Sequence, residues 1–135
     1  MANIKWRFKI ELKNENVFEK IENKRNIKIP EALKSLIKEA NAATPDTHRF
    51  LLQGNEMILG GILSFNEEDE QEGIDTVFSA MEAVNDNDLL PFAIDPFGNY
   101  ICYSQSKGNV VCWNHEKLEV SDTGKTIGEF IADLY

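Results

Sequence analysis

The side chains able to do chemistry sit in four places. His115 and Glu116, within "NVVCWNHE", are the one adjacent base and acid in a chain with two histidines, His48 being the other. On a strand, adjacent side chains face opposite sides, so this pair makes no acid–base dyad. Glu67, Glu68, Asp69, Glu70, Glu72 and Asp75 crowd carboxylates into "NEEDEQEGID". Such oxygens suit Ca²⁺, but their spacing does not follow the twelve-residue calcium loop, and a run of surface acids is usually just solvated, so no metal site and no cofactor are expected. Cys102 and Cys112 flank "SQSKGN". A three-residue Ser106-Lys107-Gly108 loop would set them directly opposite on neighbouring strands, and a shift of one residue would not; in a reducing compartment they are expected as free thiols packed like small apolar residues. Last comes "DPFGN", residues 95–99. Asp first, Pro second and Gly fourth is the residue order of a type I turn. The turn does not require Phe97 or Asn99, which leaves these two open to a recognition role. The serines form no Gly-x-Ser-x-Gly elbow, and phosphate-cradling glycine loops, His-Glu-x-x-His and Cys-x-x-Cys are all missing, so the chain is not expected to be an enzyme.

The elements that position these residues can be traced from periodicity. Ile4, Trp6, Phe8, Ile10 and Leu12 alternate with charged residues, which predicts an N-terminal strand over residues 4–12, an extra element within about 3–13. Val17, Phe18 and Ile21, then Leu33, Leu36, Ile37 and Ala40 behind Pro30, predict two amphipathic helices. A hairpin signal falls at Gly54-Asn55 and a bend or bulge at Gly60-Gly61. Ile74, Val77, Phe78, Met81 and Val84 predict a third helix. "LLPFAI", "NYICYS" and "NVVCWNHE" read as strands joined by "DPFG" and "QSKG". A last helix from about Lys125 carries a Thr126/Glu129 capping box and an apolar stripe of Ile127, Phe130, Ile131 and Leu134. Along residues 99–104, Ile101 and Tyr103 share one face and Tyr100 and Cys102 the other, so at least one tyrosine is expected outward. The order predicts an α+β fold, a mostly antiparallel sheet with helices packed outside it, in a single domain over residues 1–135.

Charge bounds the function. Residues 1–49 carry a net +4, residues 50–106 a net −11 without one Lys or Arg, and residues 107–135 a net −2. A stretch of that length without a cation disfavours direct contact with nucleic acid, whose phosphates call for Lys and Arg. The acids are either a solvating surface or a face that steers a basic protein partner. Apolar content of 42% is that of a soluble chain, no run is long enough for a membrane span, and the alternating N-terminus lacks the apolar core of a secretory signal. A cytoplasmic protein is expected.

"NIKIPEALKSLIKEAN", "LLPFAIDPFGNYICYS", "GNVVCWNHE" and "TIGEFIADL" resemble successive signature segments of the SUKH superfamily, the Smi/Knr-type domain, over roughly residues 15–135. The pairing of Phe-Gly-Asn with Trp-x-His-Glu at this spacing is its most specific part. Where many relatives have Asn-Gly-Gly after the helix, this chain has Asn41-Ala42-Ala43. The resemblance implies a bacterial immunity protein, an antitoxin that neutralises a polymorphic or contact-delivered toxin, often a nuclease, by stoichiometric occlusion. A regulatory or scaffold protein-interaction module is the alternative. Together with the charge, it implies a cognate basic toxin domain as partner, bound by a monomer or weak homodimer. The contacting residues are expected among Glu67, Glu68, Asp69, Glu70, Glu72 and Asp75, a second acidic group of Asp86, Asp88 and Asp95, and the loop residues Phe97 and Asn99.

Overall fold

The computed structural model describes residues 4–66, 77 and 88–135. In chain order the elements are β1 (Trp6–Arg7), α1 (Asn16–Arg25), α2 (Glu31–Ala40), β2 (Thr44–Pro45), β3 (Arg49–Leu52), β4 (Asn55–Ile58), β5 (Gly61–Ile62), β6 (Leu89–Ile94), β7 (Tyr100–Ser104), β8 (Asn109–Asn114), β9 (Glu119–Lys125) and α3 (Ile127–Ala132). Strands β5 to β9 form one antiparallel sheet in sequence order, while β1–β2 and β3–β4 are separate two-stranded ladders. The fold is α+β with mostly antiparallel sheets and helices outside them. Val77 is helical and 3% exposed; the other residues that predict the third helix lie outside the described residues.

Both faces of the large sheet are covered. Ile101 and Cys102 are adjacent on β7 and so face opposite ways, yet both are buried. Phe92 and Phe130 meet edge to face at 6.5 Å, and Phe130 meets Phe50 at 5.0 Å, which ties β6, α3 and the β3–β4 hairpin into one core. Pro91 lacks a ladder donor, and β6 accommodates it with a register shift between Pro91 and Ala93. On the helices, Val17, Phe18 and Ile21 of α1 and Leu33, Leu36, Ile37 and Ala40 of α2 are the buried stripes their spacing predicts. The capping box of α3 is present, Glu129 N–H to Thr126 Oγ1 and Thr126 N–H to Glu129 Oε1.

Several details differ from the sequence expectation. The long N-terminal strand is cut to Trp6–Arg7, paired with Pro45 and Thr44 of the same chain. Phe8 takes a φ of 61°, outside extended backbone. Beyond it two buried asparagines replace a ladder. Asn41 Nδ2 donates to the Ile10 carbonyl (3.0 Å) and Asn66 Nδ2 to the Glu11 carbonyl (2.9 Å), while Asn66 Oδ1 accepts from Lys13 N–H. The hairpin turn is Gln53-Gly54, one residue earlier than Gly54-Asn55; both have positive φ, as a type I′ turn requires. Strand β9, for which the sequence carries no signal, runs up to Lys125, and the last helix begins at Ile127 behind the predicted Thr126 cap. Of the two loop registers open to Cys102 and Cys112, the structure takes the one that does not set them opposite. Cys102 faces Val111 and Cys112 faces Ile101, because Ser104 pairs with Asn109 and the intervening loop has four residues.

Gly60 has no room for a side chain: a Cβ there would lie 2.9 Å from the Ile94 carbonyl oxygen. That close approach lets the chain leave the hairpin and lay β5 beside β6. At the exit of α2, Ala42 has a φ of 60°, the left-handed region where glycine is unstrained. Ala42→Gly is therefore expected to stabilise the protein by about 0.5–1 kcal/mol, the left-handed penalty of a Cβ less the extra freedom of glycine in the unfolded chain. Urea unfolding checks this, and a loss of stability of similar size would contradict it.

Candidate functional site

The loop between β6 and β7 is organised by one carboxylate. Asp95 is 6% exposed. Its Oδ1 accepts from the backbone N–H groups of Phe97 and Asn99 (2.8 Å each), and its Oδ2 accepts from the Asn99 side-chain amide (2.9 Å). The backbone closes the same loop, Asp95 N–H to the Asn99 carbonyl and Gly98 N–H to the Asp95 carbonyl. Pro96 adds a fixed φ without an N–H to satisfy, and Gly98 turns the exit at φ 89°. The turn forms as its residue order predicts, and Phe97 is left 71% exposed on it.

Asn99 does a second job. Because Asp95 Oδ2 is an acceptor, the Asn99 amide must aim Nδ2 at it and Oδ1 away from it. Oδ1 accepts from His115 N–H (3.1 Å) and lies 2.8 Å from His115 Nδ1, so that ring nitrogen must carry a proton. The ring packs over Gly98, where a Cβ would lie 3.5 Å from His115 Cε1. His115 and Glu116 lie in the turn after β8, not on the strand, and the ring is held by an amide. The β8–β9 turn is fixed in the same manner. Asn114 Oδ1 accepts from the N–H groups of Glu116 and Lys117, and the Asn114 carbonyl accepts from Leu118 N–H. Leu118 sits at φ 55° and is 60% exposed.

The sheet register sets both loops at one end, since Ile94, Tyr100, Trp113 and Val120 pair in a row across β6, β7, β8 and β9. Tyr100 stacks on buried Trp113 with centroids 5.6 Å apart and planes within 7°. Both Tyr100 and Tyr103 are half-buried, so neither is the outward tyrosine the alternation predicts. The exposed apolar groups at this corner are Phe97, Leu118 and Val120. Beneath it, a cavity of about 60 Å³ is lined by Asp95, Asn99, Tyr100, Cys112 and Trp113 among others. A metabolite site takes roughly 300–1,000 Å³. The cavity beneath this corner falls well short of that range.

The other predicted contact residues are dispersed. Asp88 lies at the opposite end of the sheet, beside the β7–β8 turn, where it accepts from Ser104 Oγ and Ser106 N–H (2.7 Å each). Partial burial pushes its pKa up, but the Ser104 hydroxyl, the Ser106 donors and the Lys107 charge outweigh that and hold it below the ordinary aspartate value. Asp88 and Asp95 thus both organise turns. Glu67, Glu68, Asp69, Glu70, Glu72, Asp75 and Asp86 lie outside the described residues. Among the described residues no three His, Cys, Asp or Glu side chains cluster to hold a metal ion, and no helix is long and apolar enough to cross a membrane. The cysteines are free and buried. Burial, and then the Asp95 charge, pushes the Cys112 thiol up to about 12, and burial raises Cys102 well above its usual range.

The Asn99–His115 contact thus latches two loops together at one end of the antiparallel sheet. The profile of the SMI1 / KNR4 family (SUKH-1) matches residues 14–133, and the chain belongs to that family. The two segments on which the sequence resemblance most depends, Phe-Gly-Asn and Trp-x-His-Glu, are joined by the Asn99–His115 contact. A solved structure described as a protein from Pseudomonas syringae pv. tomato superposes with a TM-score of 0.62 at 17% identity, covering 96% of this chain and 86% of that one, a likeness of fold. Comparison with curated protein sequences returns no match. SUKH proteins are known generally as non-catalytic immunity proteins that bind toxins.

Leu118 and Val120 went unread as candidate contacts, since isolated apolar residues in a polar segment carry no periodic signal. Asn99→Ala is expected to destabilise the protein by about 2 kcal/mol, because it removes a donor to a buried carboxylate and the acceptor for His115. It should also speed amide exchange at residues 97–99 and 115–118 together. Faster exchange in only one of the two loops would show that they are not coupled through Asn99.

Proposed function

We propose that this chain is the immunity half of a bacterial toxin–immunity pair, a single-domain, non-enzymatic cytoplasmic protein that binds a basic toxin domain one to one and occludes its working surface. The observation that carries this reading is Phe97, a large aromatic held 71% exposed on a loop whose backbone is locked by Asp95 and Asn99. A rigid aromatic loses little entropy when it docks, which is the profile of an interface anchor. The charge supports the class of partner. An acidic chain of net −9 is steered toward a basic surface, and a nuclease presents one where phosphates bind. In this reading Glu67, Glu68, Asp69, Glu70, Glu72, Asp75 and Asp86 supply steering, Phe97 and Asn99 make contact, and Asp88 and Asp95 act by shaping their turns.

The test is co-expression with the C-terminal domain of the protein encoded immediately upstream, scoring growth and co-purification. The expected result is rescue with a 1:1 complex, lost or weakened at least tenfold by Phe97→Ala, an effect in the range of a hot-spot truncation. A toxic domain that this chain neither binds nor neutralises would overturn the assignment for that pair.

A further inference from the structure

An apolar groove of about 500 Å³ runs between the N-terminal segment, α2 and α3. Its floor is Leu36, Ile127 and Ile131, its outer wall Ile4 and Trp6, and Glu39 stands on its exposed rim. By the period-2 alternation that puts Ile4 and Trp6 against the groove, Phe8 should follow them inward. Instead its φ of 61° turns it out, and it is 82% exposed, the most exposed large hydrophobic residue described. A bulky residue in the left-handed region is a backbone outlier, and a largely solvated aromatic there is unfavourable twice over unless something covers it.

We infer that the occupant of the groove is Phe8 of a second copy of this chain, in a two-fold symmetric dimer. An isologous interface needs knob and hole on the same patch, and Phe8 lies two residues along the chain from Trp6, which lines the hole. Charge agrees. Lys5, Arg7 and Lys9 flank Phe8 and are exposed, and the rim they would meet carries Glu39. The floor has space for the ring beside Gly128, where an added Cβ would meet nothing within 4 Å. This face belongs to β1, α2 and α3, not to the two loops of the Phe97 corner, so the dimer stands or falls independently of the toxin assignment.

Sedimentation equilibrium of the full chain from micromolar to millimolar concentration tests it. The wild type is expected to dimerise reversibly. Phe8→Ala, which removes the knob, and Gly128→Leu, which fills the hole, should each raise the dissociation constant by about 30-fold or more, the loss of a buried aromatic anchor. Arg7→Glu should weaken the dimer, and adding Glu39→Lys should restore part of it. Both Phe8 and Gly128 are exposed, so thermal unfolding midpoints should not fall. A wild type that stays monomeric at millimolar concentration would overturn the proposal, as would an unchanged dissociation constant in both Phe8→Ala and Gly128→Leu.

Discussion

A buried carboxylate is tolerable only when its oxygens are satisfied, and Asp95 meets that condition entirely within the loop it begins. The consequence reaches beyond one turn. Because Asp95 claims the amide nitrogen of Asn99, the amide oxygen is committed to His115, and the β6–β7 loop becomes fastened to the β8–β9 turn. Four strands therefore end in one rigid corner. The geometry that lets Phe97 stay outward is the same geometry that buries Asp95, so loop stability and surface presentation are one property.

Much of this was legible in the sequence, and the reasons are local. The Asp-Pro-Phe-Gly-Asn order encodes its own turn, Thr126 and Glu129 encode their own cap, and the apolar spacing of α1 and α2 encodes their buried faces. Features that depend on distant partners were not legible. The alternation of residues 4–12 is real, but whether it becomes a ladder depends on the backbone of Phe8 and on Asn41 and Asn66, which lie far along the chain. Strand β9 is an edge strand of polar, half-exposed residues with Gly124 in a bulge opposite Val110, so it has no apolar stripe to read. The register of Cys102 and Cys112 turned on a single loop residue. The two site motifs were recognisable as separate segments, but nothing in their spacing states that Asn99 and His115 touch.

The acids divide accordingly. Asp88 and Asp95 lie in the acidic stretch of residues 50–106, yet both face inward to backbone and side-chain donors and act as turn organisers. In the proposed division of labour, solvated acids accelerate encounter while Phe97, with Leu118 and Val120 beside it, holds the complex once formed.

The division between steering and anchoring is tested most directly by rate constants for the complex with the toxin domain, measured at low and high salt for the wild type and for Phe97→Ala. The account predicts that salt slows association of both forms alike, whereas Phe97→Ala leaves association nearly unchanged and speeds dissociation at least tenfold. Dissociation indifferent to Phe97, with association indifferent to salt, would place the binding surface elsewhere and contradict it.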